Sequence, residues 1–130
     1  MASTREICFT FDERRTVQAC AVLFPQSRRE NFTKLLKLLY LADRQSLIET
    51  GAPITGAHVV SMKNGPVLSE VYDCIKSEPT AKSTWDMHIE RNGTFLVLKK
   101  EPGDSELSDY DVEILTRLAK KHRGDHFGRM

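Results

Sequence analysis

The chain has 130 residues, of which 40% are apolar and 28% are charged, and these proportions are typical of one globular domain spanning residues 1–130. A formal net charge of +1 leaves no overall field to draw in nucleic acid or an anionic membrane, so the composition indicates neither as a partner. Three cysteines without a CxxC pair argue against a disulfide framework, and the lack of an apolar leader or membrane-length run predicts a soluble cytoplasmic protein with reduced thiols.

Two helices are predicted in the first 50 residues. Thr10 and Glu13 are spaced as in a capping box, in which each side chain bonds the other residue's backbone, and apolar residues follow at helical intervals. A second capping box at residues 27–30 begins a longer helix, which we expect to run to about Thr50 and to end at Gly51. The longer helix is expected to lie at the centre of the core.

The second helix carries one broad apolar face, which we expect to be buried. Its members, placed at about 100° intervals around the axis, are Phe32, Leu35, Leu36, Leu39, Ala42 and Leu47. Asp43 falls within that face. It is either a buried acid that accepts backbone N–H groups or pairs with a base, or the polar anchor of a binding groove. Leu41 and Ile48 point the other way, among basic residues, and the predicted core does not need them.

The segment from His58 to Lys76 combines a strand with a helix. We predict a strand from His58 to Met62 and a short helix that begins at Pro66, since proline suits a first helical turn. Between them, the Lys-Asn-Gly-Pro sequence of residues 63–66 either cradles a phosphate or forms a strand-to-helix corner. The lysine precedes the glycine instead of following it, and Pro66 has no N–H group to offer a phosphate, so we interpret the segment as a corner.

A β-hairpin is predicted over residues 86–99. Asn92-Gly93 is the strongest two-residue hairpin signal, and with it as the turn Ile89 pairs with Leu96 on an apolar face. The strand that begins at residue 58 is expected to add a third strand to this antiparallel sheet.

The last helix is predicted to begin at a capping box over residues 108–111. Together the elements predict a mainly helical α+β fold, with about four helices and one small antiparallel sheet. The sequence ends at Met130 without a clear helix stop. We therefore expect the C-terminus to be truncated relative to a longer natural protein.

The sequence offers few groups suited to catalysis or metal binding. His122 and His126 have the i, i+4 spacing of two ligands on one helical face, but the Glu of an HExxH motif is absent. No cysteine or serine lies in a nucleophile elbow or beside a motif histidine. We expect a protein that is not an enzyme, with no catalytic residue, no cofactor and no metal. A metal-assisted enzyme that uses the two histidines is the weaker alternative.

Several motifs follow one another between Asn31 and Lys76. They are a Lys-Leu-Leu-Tyr helix that ends in an aspartate, a Gly-x-Pro-Ile turn, a strand, and an x-Gly-Pro-Val helix start. The residues that carry them are Lys37 to Tyr40, Asp43, Gly51, Pro53, Ile54, Lys63, Gly65, Pro66 and Val67. This run resembles the Panacea, or SocA-like, antitoxin domain, and the hairpin and last helix fit that family's layout.

The resemblance implies an antitoxin of a bacterial or phage toxin–antitoxin system. Such a domain neutralises a cognate protein toxin, encoded by an adjacent gene, through direct protein–protein contact. The alternative is an adaptor that delivers a toxin or regulator to a protease. The family-motif residues Tyr40, Asp43, Lys63, Gly65 and Pro66 are then expected to be mostly structural.

The outward residues of the second helix are the first candidates for partner contacts. Leu41, Arg44 and Ile48 combine exposed apolar surface with a charge, and we expect them to contact the partner protein. A role in nucleic-acid binding is not indicated, because the basic residues cluster only at 120–123 and at no spacing that would read bases.

Overall fold

The computed structural model describes residues 9–63, 65–77 and 83–123, and within these ranges it contains five helices and five short strands. The helices are α1 (Glu13–Leu23), α2 (Phe32–Thr50), α3 (Ser69–Lys76), α4 (Thr84–His88) and α5 (Asp109–Lys121). The strands are β1 (Arg29–Asn31), β2 (Val59–Met62), β3 (Gly65–Leu68), β4 (Ile89–Asn92) and β5 (Phe95–Leu98). This arrangement confirms the predicted α+β class with a mainly helical chain.

Helix α1 begins later than its predicted cap. Asp12 is the N-cap, and its carboxylate accepts the N–H of Arg15 at 3.0 Å. The capping box predicted from Thr10 and Glu13 is therefore wrong. Glu13 instead accepts the backbone N–H of Trp85 at 2.8 Å, so its carboxylate ties α4 to α1.

The start of α2 also differs from the prediction, because residues 29–31 form strand β1 before the helix begins. Asn31 caps the helix by accepting the N–H groups of Thr33 at 2.8 Å and Lys34 at 3.4 Å. The capping box predicted at residues 27–30 is wrong, since Arg29 and Glu30 pair with β5 instead of turning into a helix. The predicted end is confirmed: Gly51 closes the helix with φ of +87°, a left-handed conformation that suits glycine.

The core is built around α2, which packs against α1, α5 and the loop that follows it. Its largest fully buried side chains include Leu35, Leu38, Leu39, Ile54, Leu68, Ile89, Leu96, Ile114 and Leu115. The predicted apolar face of α2 is buried except at its two ends: Phe32 is half-buried and Leu47 is 46% exposed. Leu47 lies outside because the returning loop is fastened along one side of the helix, where the Ser46 hydroxyl donates to the Ala52 carbonyl at 2.7 Å.

The three-stranded antiparallel sheet has the order β1-β5-β4. Strand β1 takes the place that was predicted for residues 58–62, which belong to a different sheet. A hairpin is present, but it spans residues 89–98: residues 86–88, predicted as strand, form the end of α4. Ile89 pairs with Leu98 and not with Leu96. The turn is Gly93-Thr94, with Gly93 at φ of +65°. The observed pairing register of β4 with β5 is shifted by two residues from the predicted one. Such a shift keeps the same side chains on the apolar face, so the apolar–polar alternation of the sequence does not distinguish the two registers.

The second sheet is a hairpin of β2 and β3, and it replaces the predicted strand-to-helix corner. Met62 pairs with Gly65 across the turn, and the chain runs on as a strand to Leu68 before α3 begins at Ser69. The helix start predicted at Pro66 is therefore wrong by three residues.

Proline is compatible with β3 because only alternate residues of this hairpin direct their backbone N–H and C=O groups at the other strand. The Ser69 N–H donates to the His58 carbonyl at 2.7 Å, so alternate residues from His58 onward direct their backbone groups at β3. Pro66 lies opposite Ser61, in a position that makes no bond between the two strands. The missing N–H of proline therefore leaves no gap in the hydrogen-bond ladder.

Candidate functional site

Asp43 fastens the loop that follows α2 to the helix. It is 5% exposed, its Oδ1 accepts the N–H groups of Ile54 at 3.0 Å and Thr55 at 2.9 Å, and its Oδ2 accepts the Thr55 hydroxyl. Burial raises the pKa of Asp43 above its usual range, although the hydrogen bonds from Thr55 and Ile54 act in the opposite direction. The carboxylate is a buried acid that accepts backbone N–H groups, which is the first of the two interpretations made from the sequence.

The same loop is held from its other side by the segment before α1. The Asp12 N–H donates to the Thr55 carbonyl at 2.9 Å. Gly56 follows with φ of +78°, and a Cβ at this position would collide with the backbone carbonyl of Thr10. Only glycine allows the two segments to approach this closely. The loop is thereby fixed between α2 and the N-terminal segment.

His58 and Glu70 lock the start of β2 onto α3. Glu70 accepts the His58 backbone N–H at 2.8 Å and lies 2.6 Å from the His58 ring Nδ1. Burial pushes the pKa of Glu70 upward, but the hydrogen bonds with His58 outweigh it and hold the pKa below its usual range. The imidazole itself remains largely exposed.

These three attachments leave an open cleft, the α2–β2 groove, between the C-terminal half of α2 and the loop leading into β2. Its volume is about 540 Å³. Six of its lining residues are wholly or largely apolar: Phe9, Tyr40, Leu47, Pro53, Ala57 and Val59. A concave, mostly apolar surface with a few polar groups is the usual form of a binding site.

The polar groups at the groove give it a positive character. Arg44 is exposed and makes no ion pair with any described residue. Asp43 is the acidic residue among the described lining residues, but its two oxygens are occupied by the loop. The charge that an incoming molecule meets is therefore that of the Arg44 guanidinium.

Exposed apolar side chains continue from the groove along β2. Leu47 and Val59 line the groove and are 46% and 54% exposed, and Val60 and Met62 follow on the same strand, also exposed. Single exposed apolar residues are ordinary on protein surfaces, whereas several close together mark a contact surface. Because successive strand residues point to opposite faces, Val59 belongs to the groove, and Val60 and Met62 lie on the other face of β2. We call these four residues together with the α2–β2 groove the β2 surface.

Comparison with known families identifies the fold that carries this surface. A family model described as "Antitoxin SocA-like, Panacea domain" matches residues 35–127, which is more than half of the chain. The chain belongs to this family. The match confirms the resemblance seen in the sequence. No curated protein and no solved structure matches the chain.

The Panacea-motif residues lie at two places beside the β2 surface. Tyr40 lines the groove and Asp43 lies beneath it, where it holds the loop. Lys63, Gly65 and Pro66 form the turn and first residues of the β2–β3 hairpin. Gly65 has φ of +118°, a conformation that residues with a side chain rarely adopt, so glycine suits this end of the hairpin turn, with the Lys37 side chain of α2 close by.

The three residues predicted to contact a partner do come together in this Panacea domain. Leu41, Arg44 and Ile48 line a second, smaller groove of about 270 Å³, which is bounded on its other side by α5. Ile48 is 67% exposed. Arg44 lines both grooves, so it stands on the ridge between them. Their role in partner binding remains a prediction.

Sequence reasoning missed the β2 surface. Leu47 was placed in the core, and Val59, Val60 and Met62 were counted only as sheet residues. A signal was present: adjacent valines followed by a methionine put apolar side chains on both faces of a strand, and a two-stranded hairpin cannot bury both.

Neither a metal-binding cluster nor a membrane-spanning helix is found among the described residues. No group of three His, Cys, Asp or Glu side chains within residues 9–63, 65–77 and 83–123 is arranged to hold a metal ion. His126, half of the predicted histidine pair, lies outside these ranges. In the same part of the chain, no helix is long and apolar enough to span a membrane.

Proposed function

We propose that this Panacea domain is an antitoxin that neutralises a protein toxin, encoded by an adjacent gene, by binding it at the β2 surface. The observation that carries the proposal is the set of exposed apolar side chains here: Leu47 and Val59 in the groove, and Val60 and Met62 on the opposite face of the same strand. Membership of an antitoxin-like family supports a toxin as the kind of partner.

The arrangement of the acidic groups in and beside the α2–β2 groove favours a binding role for the groove over a catalytic one. A general acid or base must reach the group whose proton it moves. The Asp43 carboxylate is occupied by Ile54 and Thr55, and Glu70 is occupied by His58. What the groove presents outward is apolar surface with a cationic group, which suits a desolvated contact with a polar rim.

The test compares two variants in which an exposed apolar residue of similar size is replaced by aspartate. Leu47→Asp places a charge in the proposed interface, and Met87→Asp is its matched control, because Met87 is 45% exposed and lies on α4. Neither residue is buried, so both variants are expected to fold like the wild type, as judged by circular dichroism and thermal unfolding.

Each protein is co-expressed with the product of the adjacent gene, and growth, co-purification and affinity are measured. The wild type and Met87→Asp are expected to restore growth and to co-purify with that product. Leu47→Asp is expected to weaken binding by about 30-fold or more, the size of an interface hot spot. Equal rescue by Leu47→Asp and Met87→Asp would move the site away from the groove, and no rescue by the wild type would refute the antitoxin role.

Direct blocking is distinguished from protease delivery by following the amount of toxin. A blocking antitoxin leaves the toxin intact in the complex, whereas an adaptor lowers the toxin level when an ATP-dependent protease is present. Loss of the toxin in the presence of this protein and the protease would favour the adaptor.

A further inference from the structure

Strand β2 has one edge that is free of hydrogen bonds within the described part of the chain. It pairs with β3 on one side only. Because His58 accepts from Ser69, the backbone groups of Val60 and Met62 face β3, and those of Val59 and Ser61 face the opposite side. The outer edge of β2 therefore presents two N–H and two C=O groups in the spacing of a strand.

Apart from its short length, this edge lacks the features that normally prevent pairing with another chain. Protected edges are short or carry charged residues, proline or a bulge. The four residues of β2 are uncharged and all exposed, and the proline of this hairpin is in β3. An exposed apolar edge of this kind is where an extended peptide adds as a further strand, with main-chain hydrogen bonds and alternate side chains both contributing.

The charges around the edge indicate what such a peptide carries. Arg44 lines the groove beside Val59, and Lys63 follows the end of β2, whereas the acid at the start of β2, Glu70, is hydrogen-bonded to His58. Neither of the two cations forms an ion pair with the described residues. A second copy of this chain would bring the same cations to the same edge, so pairing of β2 with itself is opposed by like charges.

We propose that the toxin contributes an extended segment, apolar with acidic side chains, that adds as a strand to the outer edge of β2. This inference rests on the proposed antitoxin function and specifies how the partner is held. The main-chain groups of Val59 and Ser61 bind the segment, the exposed apolar side chains pack on it, and the acidic groups lie near Arg44 and Lys63.

Ser61→Pro tests the main-chain contact. The Ser61 N–H points away from β3, so its loss leaves the hairpin intact, and the residue before it is already extended, as proline requires. Ser61→Ala is the matched control, since it removes the side chain and keeps the N–H. With the adjacent gene's product as the probe, Ser61→Pro is expected to weaken binding by about tenfold or more, while Ser61→Ala binds like the wild type.

Amide hydrogen exchange of the unmodified protein gives an independent readout. In the free protein, the amides of Val60 and Met62 are expected to exchange more slowly than those of Val59 and Ser61. In the complex, the amides of Val59 and Ser61 are expected to become protected to a similar degree. This alternation is specific to strand addition, because a partner that docks only on side chains protects no particular pair of amides.

The charge complementarity is tested with Lys63→Glu and, as control, Lys99→Glu, which lies directly after β5 of the other sheet. The first variant is expected to slow association by about tenfold at low salt, with the difference shrinking as salt is raised. Lys99→Glu should associate like the wild type.

Each outcome separates this inference from the function on which it rests. If the wild type binds the adjacent gene's product and Ser61→Pro binds equally well, strand addition is overturned and the antitoxin role stands. If the protein alone is a dimer that Ser61→Pro converts to a monomer, a second copy occupies the edge and the toxin segment does not. If the wild type fails to bind, both proposals fail.

Discussion

Replacement of Asp43 tests how much of the free energy of unfolding depends on one buried carboxylate. Asp43→Ala removes the acceptor for the N–H groups of Ile54 and Thr55 and for the Thr55 hydroxyl. Asp43→Asn keeps one carbonyl oxygen in the place of Oδ1, which accepts both backbone N–H groups, and it changes only the group that faces the hydroxyl. The two variants therefore separate the backbone bonds from the side-chain bond.

The expected magnitudes follow from the burial of the donors. A buried N–H left without a partner costs about 1–3 kcal/mol, so Asp43→Ala is expected to lower the free energy of unfolding by about 3–5 kcal/mol. Asp43→Asn should cost about 1–2 kcal/mol, because only one bond is altered. Domains of this size have about 5–15 kcal/mol in total, so the alanine variant is expected to melt about 10–20 °C lower.

The assay is urea and thermal unfolding followed by circular dichroism, with Asp104→Ala as control. Asp104 is exposed, and its replacement should change stability by less than about 0.5 kcal/mol. The reasoning is refuted if Asp43→Ala costs less than about 1 kcal/mol, or if Asp43→Asn costs as much as Asp43→Ala.

Three further predictions follow from the described residues. Burial raises the pKa of Asp43, so the folded state holds this proton more tightly than the unfolded chain, whose Asp pKa is about 3.9. Its stabilisation is then complete below about pH 4 and is lost as pH rises through the folded pKa, so the stability difference between wild type and Asp43→Asn should shrink as pH rises above about 4; growth of that difference would show that the hydrogen bonds outweigh burial. Gly56 and Gly103 share φ of +78°, but only a Cβ at Gly56 meets backbone, so Gly56→Ala should destabilise by about 1–3 kcal/mol more than Gly103→Ala in the same unfolding assay, and equal costs would contradict the close approach to Thr10. Burial raises the pKa of Cys74 to about 11 and that of Cys20 further, so neither thiol is expected to react readily at pH 8 in the folded protein. In a Cys8→Ser variant, a thiol reagent at pH 8 should therefore label the native protein slowly and label both remaining thiols rapidly only after unfolding.

The sequence by itself determined the elements whose signals are local. The last helix begins at its capping box, where the Ser108 side chain accepts from Asp111 and the Asp111 side chain accepts from Ser108. The central helix ends at Gly51 because a left-handed residue is needed there, and only nearby residues decide that. The burial of Asp43 also followed from its place on the apolar face of one helix.

The tertiary structure decided every pairing between segments distant in sequence. Residues 27–30 have the pattern of a helix cap, but β1 forms because Arg29 can pair with Val97 of β5. No local rule indicates such a partner, because the residues that satisfy a strand's backbone lie far along the chain.

The β2 surface depends on the same physics. Residues 63–66 could be followed either by a helix or by a second strand, and their sequence is compatible with both. The hydrogen bonds between β2 and β3 decide in favour of the strand. Once the hairpin forms, each strand satisfies one edge of the other, and the outer-edge backbone groups of Val59 and Ser61 have no strand partner in the described part of the chain. The sequence determined that the segment is extended and mostly apolar, and only the pairing decided which of its backbone groups face outward.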